Sequence, residues 1–245
     1  MGVVNGVKRR VPLRLREIVQ PSYPSAALPW VQGSFSQSGE DRIVTFLLGE
    51  LRVPRPTYLD IGAYHPFHLS NTALLHLAGS RGVNVEPDPD SFQAFPRHRE
   101  NDVNLNIGVG AEPGALTFYR MSTPTLSTFS KDAADHAVEE SGGVHQILST
   151  VDVEVRTPVD LLREVGVPDF LNLDAEGLDV DILRTMPLWA GLPAVVCVET
   201  ITYSEHGHGV KVTEIGDLLT GMGYIAYADT YINTIFVLKD RWVGR

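Results

Sequence analysis

Short apolar runs alternate with amphipathic stretches from about residue 57 onward, and this alternation restricts the possible folds more than any other feature of the chain. Near-continuous apolar runs of a few residues are typical of strands that are buried on both faces of a parallel sheet. Amphipathic stretches between such strands predict helices that cover the two faces through right-handed crossovers. The pattern therefore predicts an α/β fold with a doubly wound, mostly parallel sheet.

The elements of this alternation can be placed along the chain. The predicted strands are Thr57–Ile61, Gly82–Glu86, Val103–Val109, Asp169–Asp174 and Ala194–Glu199. The predicted helices are Asn71–Ala78, Pro89–His98, Pro158–Val165, Val180–Met186 and Thr213–Met222. Thr157 precedes Pro158, and a hydroxyl N-cap followed by proline at the first helical position is a helix start signal.

The end of the chain departs from the alternation. Two strand-like runs, Tyr224–Asp229 and Thr234–Lys239, are separated only by Thr230–Asn233. This connection is too short for a crossover helix, so the two runs must pair antiparallel. We therefore expect the sheet to finish in a terminal antiparallel hairpin.

Length and composition define the expected domains. With 245 residues, of which 43% are hydrophobic and 20% charged, the chain is long and apolar enough to bury a sizeable core, which excludes a mainly disordered protein. We expect residues 1–33 to form a basic helix and a Pro-rich connector, and residues 34–245 a single domain. Residues 121–150 are rich in Ser, Thr and Gly, so they are predicted to be a lid-like insertion over the ligand edge of the sheet, or else a flexible surface insertion.

Charge and cysteine usage exclude several classes of protein. A net charge of −10 disfavours nucleic-acid binding. The single cysteine rules out an intramolecular disulfide and a multi-cysteine zinc site, and it suits a reducing compartment. No apolar run approaches the roughly 20 residues that span a bilayer, so no transmembrane segment is predicted. We expect a cytoplasmic enzyme, with a homodimer as the default assembly.

Polar residues at the ends of the first two predicted strands suggest a nucleoside site. Asp60 and Gly62 form a D-x-G turn, in which the glycine allows the backbone to turn tightly under a ligand. Glu86 ends the second strand, where doubly wound folds bind ribose hydroxyls. A dinucleotide fingerprint needs three glycines and this turn has one, so we predict an adenosine-type ligand without a pyrophosphate. The alternatives are a structural turn and an exposed glutamate.

Acidic residues also follow the later strands. Asp174 and Glu199 end two predicted strands, and converging carboxylates at that edge can bind Mg²⁺ or act as a general base. We predict that these two residues share one Mg²⁺, with the capping of a helix or loop as the metal-free alternative. Glu176 and His206 lie nearby in sequence and compete for the role of general base, although a histidine in such a loop is often only a hydrogen-bonded neighbour.

Blocks of sequence in a fixed order carry a resemblance to a known family. They are FSQSGED at 35–41, YLDIGAYHP at 58–66, LSNT at 69–72, GVNVEPDP at 82–89, LST at 126–128, DFLNLDAEGLDVDIL at 169–183, VVCVET at 195–200 and NTIFV at 233–237. Over roughly residues 34–240 the chain resembles the FkbM-type methyltransferases. That resemblance implies a class I methyltransferase, Rossmann-like sheet and S-adenosylmethionine-dependent O-methylation, typically of a sugar or polyketide hydroxyl.

The resemblance also implies roles for single residues. Asp60 and Gly62 would form the loop at the methionine end of the cofactor, with Ala63 and Tyr64 in place of the second glycine of the usual loop. Glu86 would bind the ribose. The other residues predicted to line the cofactor are Gln37, Ser70, Asn71 and Asp174. We expect a sugar or oligosaccharide as the acceptor.

Two other functions remain open at the level of sequence. A nicotinamide-dependent oxidoreductase uses a similar sheet, but the missing glycines and the absence of a Tyr-x-x-x-Lys pair argue against it. The other alternative is a non-catalytic module that retains a nucleoside-binding cavity.

Overall fold

The computed structural model describes residues 33–175, 177–202 and 209–244. Ten strands occur in these residues: β1 Tyr58–Ile61, β2 Gly82–Val85, β3 Val103–Leu105, β4 Gly108–Val109, β5 Gly114–Met121, β6 Ile147–Arg156, β7 Phe170–Leu173, β8 Val195–Glu199, β9 Tyr224–Asp229 and β10 Asn233–Leu238. Seven of them form one sheet of order β3-β2-β1-β7-β8-β10-β9. Within this sheet β10 runs opposite to the other six strands, and it pairs antiparallel with β8 and β9. The predicted mostly parallel, Rossmann-like sheet with a terminal antiparallel hairpin is confirmed.

Four of the five predicted helices lie close to their predicted positions. The described helices are α1 Glu40–Glu50, α2 Ala73–Leu77, α3 Pro89–Phe92, α4 Phe95–His98, α5 Lys131–Glu140, α6 Pro158–Val165, α7 Asp179–Thr185, α8 Thr213–Gly221 and α9 Lys239–Val243. The side chain of Thr157 accepts a hydrogen bond from the backbone N–H of Asp160, as its N-cap role requires. The single helix predicted over Pro89–His98 is wrong, because two short helices occupy these residues. Pro96 has no N–H to donate to the backbone oxygen of Phe92, and its ring would clash with that oxygen in a continuous helix.

Side chains alternate between the two faces of the large sheet. In β1, Leu59 and Ile61 belong to one buried cluster, whereas Tyr58 belongs to a second cluster that α1 covers with Val44 and Leu47. Helices therefore pack on both faces, as the apolar runs predict.

Polar side chains cross the sheet in one row on the face that α1 covers. In register, Asn104 of β3 pairs with Asn84 of β2, Asn84 with Asp60 of β1, and Asp60 with Asn172 of β7. The Asn84 amide donates to Asn104 Oδ1 at 2.9 Å, and the Asn172 amide donates to Asp60 Oδ1 at 2.9 Å. Two of the three neighbouring pairs in this row are thus hydrogen-bonded to each other directly.

A second sheet has the order β4-β6-β5, and its presence shows that one predicted strand is wrong. The sequence predicts Val103–Val109 as one strand, but β3 ends at Leu105 and β4 belongs to the second sheet. The side chain of Asn106 donates to the backbone oxygens of Glu86 at 2.8 Å and Pro87 at 3.1 Å. These bonds fix the point at which the chain leaves the large sheet.

Residues 121–150 have more structure than their composition suggests. They contain α5 and the start of β6, and Met121, Ala134 and Ala137 form a small buried cluster. The lid and the flexible surface insertion both stay predictions for this segment. The helix and connector predicted for residues 1–33 lie outside the described residues except for Gly33. None of the described helices is long and apolar enough to cross a membrane.

Candidate active site

A cavity of about 470 Å³ lies at the carboxyl ends of the parallel strands. It is lined by every residue that the sequence predicts to bind the cofactor: Gln37, Asp60, Gly62, Ala63, Ser70, Asn71, Glu86 and Asp174. Glu199, predicted as a metal ligand, also lines it. The other two predicted site residues, Glu176 and His206, lie outside the described residues. The structure thus brings together all the described members of the predicted site, and their roles stay predictions.

The loop after β1 packs against the end of β7. Gly62 has φ +77°, and a Cβ atom added to it would lie 1.8 Å from the backbone oxygen of Asp174. The backbone N–H groups of Gly62 and Ala63 both donate to the oxygen of Val85, each at 3.0 Å. Only glycine combines this conformation with so close an approach.

Glu86 sits at the end of β2 with its carboxylate held by the backbone. Oε2 accepts from the N–H of Tyr64 at 2.7 Å, and Oε1 accepts from the N–H of Asp88 at 2.8 Å. Burial raises the pKa of Glu86 to about 8 despite these two bonds. Each oxygen keeps a second lone pair, so the ionised group can still accept from ligand hydroxyls in the cavity.

The carboxylate of Asp60 is buried and accepts hydrogen bonds from other side chains of the protein. Asp60 is 2% exposed, and its two oxygens accept from Thr72 Oγ1 at 2.6 Å and from the Asn172 amide at 2.9 Å. Asn172 in turn accepts from the amide of Asn71 at 2.8 Å. Asp60 therefore orients Asn172 and Asn71, which line the same cavity.

Two buried acceptor atoms at this cavity have no hydrogen-bond partner among the described residues. They are Asn71 Oδ1 and Asp174 Oδ1. A buried polar atom without a partner is costly, so these two atoms indicate a ligand that donates hydrogen bonds. Burial, with the charges of Asp179 and Asp60, raises the pKa of Asp174 to about 7. A cationic donor would relieve both the missing bond and the repulsion.

The acidic residues continue along the edge to β8. Burial, with the charges of Asp174 and Asp179, raises the pKa of Glu199 well above its usual range. Asp179 closes the loop after β7, where its Oδ1 accepts from the N–H of Ala175 at 2.8 Å. Among the described residues, no group of three or more His, Cys, Asp and Glu side chains is placed to hold a metal ion. The predicted Mg²⁺ site is therefore not supported.

A buried arginine fixes the loop that leads to Asn71. Arg99 is 0% exposed and donates to the backbone oxygen of Pro66 at 2.7 Å, to Ser70 Oγ at 3.3 Å and to Tyr58 Oη at 2.9 Å. The carboxylate of Asp102 lies 3.6 Å from its guanidinium group. No sequence signal marks Arg99 as an internal residue. Asn172, by contrast, could have been found, because it is a polar residue inside an apolar strand.

Comparison with known families identifies the chain at this point. Residues 60–225, more than half of the chain, match the family described as the methyltransferase FkbM domain. The chain belongs to the FkbM methyltransferase family. Membership implies S-adenosylmethionine as the methyl donor. The matched region contains Gly62, Glu86 and Asp174, whereas Gln37 and the β9–β10 turn lie outside it.

Two solved structures are similar to this FkbM domain at low sequence identity. The crystal structure of methyltransferase FkbM from Methylobacillus flagellatus KT has 14% identity and a TM-score of 0.43, over 75% of this chain and 44% of that one. Precorrin-6y C5,15-methyltransferase from Geobacter metallireducens GS-15 has 12% identity and a TM-score of 0.36, over 81% of this chain and 88% of that one. This chain thus spans less than half of the first of these structures. No curated protein matches the sequence.

Proposed function

We propose that this FkbM domain transfers the methyl group of S-adenosylmethionine to a hydroxyl oxygen of a sugar or oligosaccharide. The pair of unpartnered buried acceptors, Asn71 Oδ1 and Asp174 Oδ1, carries the proposal. The methionine end of S-adenosylmethionine has an ammonium group that donates hydrogen bonds and bears a positive charge. An ammonium group of this kind can donate hydrogen bonds to both acceptor atoms.

The character of the whole cavity supports the same ligand. Glu86 lies at the β2 end of the cavity, where it can accept from the ribose hydroxyls. The cavity wall contains four further carboxylates, those of Asp60, Asp88, Asp174 and Glu199, and no Lys or Arg among its described residues. Such a wall offers a pyrophosphate no cationic partner, whereas its carboxyl groups can accept hydrogen bonds from the ammonium group and balance the charge of a sulfonium cation. It therefore disfavours the nicotinamide-dependent alternative.

Methyl transfer needs a hydroxyl oxygen that is close to the methyl group and partly deprotonated. S-adenosylmethionine, when bound, supplies an electrophilic methyl group on its sulfonium centre. The Gly62 loop, Asn71 and Asp174 hold the methionine end, and the carboxylate of Glu199 lies in the same cavity with a strongly raised pKa. His206 and Glu176 stay predicted bases, because they lie outside the described residues.

The proposal contains no metal step. In this arrangement Asp174 Oδ1 accepts from the ammonium group, which leaves only Glu199 of the predicted Mg²⁺ pair available to bind a metal. Methyl transfer should therefore continue after dialysis against EDTA. A loss of turnover that Mg²⁺ restores would contradict this and would bring Glu176 into a metal site. The cytoplasmic location and the homodimer stay predictions.

The decisive experiment compares whole and partial ligands by calorimetry. Asp174→Asn should weaken binding of S-adenosylhomocysteine about 10- to 100-fold, the usual effect of losing a charged hydrogen bond, and leave adenosine within about twofold. Adenosine lacks the methionine end, so it reports the rest of the site. Asp217→Asn, an exposed acid on α8, is the matched control and should change neither affinity.

Other outcomes would overturn the proposal. Tight NAD binding without S-adenosylhomocysteine binding would favour the oxidoreductase. Cofactor binding without methyl transfer to any member of a sugar panel would favour the non-catalytic module. An equal loss of adenosine binding in Asp174→Asn would remove the ammonium assignment.

The raised pKa of Glu86 predicts a pH dependence of ribose binding. Below about pH 8 the free protein holds a proton on Glu86, so one oxygen loses its ability to accept. Adenosine affinity should therefore fall about tenfold as the pH is lowered from about 9 to about 6. Glu86→Gln should bind weakly at both values, with no such slope. A wild-type affinity that is independent of pH would contradict the ribose role.

The raised pKa of Glu86 affects stability in the opposite direction: the free energy of unfolding falls as the pH rises, whereas the affinity for adenosine increases. Because the folded pKa of Glu86 lies above 4.5, its ordinary value, the folded state holds a proton that the unfolded chain releases. This group's contribution to the free energy of unfolding is therefore full below about pH 4.5 and is lost as the pH rises towards about 8. Urea unfolding of wild type and Glu86→Gln at several pH values separates this contribution from that of the other acids.

A further inference from the structure

The cavity extends further along the sheet than the predicted cofactor residues require. Following the strand order, it runs from Glu86 on β2 past Gly62 and Asp174 to Glu199 on β8 and then to the β9–β10 turn. At about 4.8 Å between strands, β2 and β10 are about 19 Å apart. The end near β8 and β10 is therefore the part left for the acceptor.

The turn at that end has an unusual backbone. Tyr231 lies between β9 and β10, lines the cavity and has φ +78°, a left-handed conformation that is rare for a bulky residue. Its N–H donates to Asp229 Oδ1 at 2.7 Å, and its hydroxyl donates to the backbone oxygen of Gly209 at 3.2 Å. Strain of this kind persists only where the surroundings enforce it, and it often marks a binding site.

A lysine holds the tyrosine ring in place. Lys211 Nζ lies 5.8 Å from the ring centroid, within the range of a cation–π contact. The same ammonium group donates to Asp229 Oδ1 at 2.7 Å and to Thr200 Oγ1 at 3.0 Å. The ring is thus fixed although Tyr231 is 47% exposed. A fixed, half-exposed aromatic ring at a cavity wall can stack on a ligand and loses little conformational freedom when it does so.

A buried glutamate anchors the base of the turn. Glu40 is 0% exposed, and its Oε1 accepts from Thr230 Oγ1 at 2.6 Å and from the Asn233 amide at 3.2 Å. Asn233 also lines the cavity. All of these residues lie outside residues 60–225, the region that matches the family.

We infer that Tyr231 is a specificity-determining residue for the acceptor and that its ring stacks on the C–H face of a saccharide ring. Asn233, a polar residue of the same cavity wall, suits a sugar hydroxyl, and the anchored turn keeps the stacking surface rigid. This inference rests on the proposed function and names the contact that selects the acceptor.

The test uses the full chain saturated with S-adenosylhomocysteine and a panel of methyl glycosides as probes. Saturation-transfer NMR identifies the glycosides that bind, and titration gives their dissociation constants. Tyr231→Ala should weaken binding of the best glycoside about tenfold and leave the dissociation constant of S-adenosylhomocysteine within about twofold. Tyr231→Phe keeps the ring, so glycoside binding should stay within about threefold of wild type.

The matched control is Tyr227→Ala. Tyr227 is a 39% exposed tyrosine of the same hairpin, and its ring packs on Trp242 instead of lining the cavity. This variant should bind glycosides as wild type does. Equal glycoside binding by wild type and Tyr231→Ala overturns the inference, and so does a wild-type complex that binds no methyl glycoside. Failure of S-adenosylhomocysteine to bind wild type would instead overturn the proposed function.

Discussion

Replacing Arg99 with leucine should lower the free energy of unfolding by about 3–5 kcal/mol, the usual result of removing one partner of a buried ion pair. The guanidinium group is completely buried, and its loss leaves the Asp102 carboxylate without its neighbouring cation. It also leaves Pro66 O, Ser70 Oγ and Tyr58 Oη without a donor. Urea unfolding followed by circular dichroism measures the change.

Two further variants separate the ion pair from general effects. Arg163→Leu removes an arginine whose side chain is 74% exposed and paired with Asp160, so it should change stability by less than about 1 kcal/mol. The double variant Arg99→Leu with Asp102→Leu should cost less than the two single changes added together, because no buried carboxylate then remains without its arginine partner. Strict additivity would show that the two residues stabilise the fold independently.

Gly62→Ala is expected to damage both the fold and cofactor binding. The new methyl group would need the space of the Asp174 backbone oxygen, 1.8 Å away, and alanine is strained at φ +77°. Together the strain and the overpacking should cost about 2–5 kcal/mol. Relief of the clash must move the end of β7, so binding of S-adenosylhomocysteine should fall at least tenfold even in the fraction that folds.

Gly142→Ala is the matched control for this substitution. Gly142 also has positive φ, +61°, but a Cβ atom there would meet nothing within 4 Å. It should therefore show only the conformational strain of about 1–2 kcal/mol and leave the cofactor affinity unchanged. If the two variants lost stability equally, the close approach to Asp174 would not be the cause of the Gly62 effect.

The parts of the fold and site that could be predicted depend on short-range patterns. Asp60, Gly62 and Glu86 lie directly at strand ends, and parallel strands bring such ends to one edge, so strand order was enough to predict that they meet. The hairpin followed from the length of one connection. These features need no knowledge of side-chain packing.

The parts that could not be predicted depend on contacts between distant segments. The end of β3 is set by Asn106 bonding to the backbone after β2, and nothing near Asn106 in sequence indicates that bond. The placement of Tyr231 depends on Lys211 and on Glu40, which is nearly the length of the chain away from it. Residues 121–150 build their helix on a small alanine-rich contact that is too weak in sequence to distinguish from a loop.

The row of amides and carboxylate across the sheet bears on how the strands find their correct partners during folding. Asp60 and its neighbours alternate with apolar residues, so a slip of one residue between β1 and β7 would turn Asp60 towards the cluster of Leu59 and Ile61. There it would find neither the Asn172 amide nor the Thr72 hydroxyl. An apolar residue at position 60 could be buried on either face at little cost, whereas Asp60 without its partners would destabilise the misaligned sheet, so this row favours a single alignment.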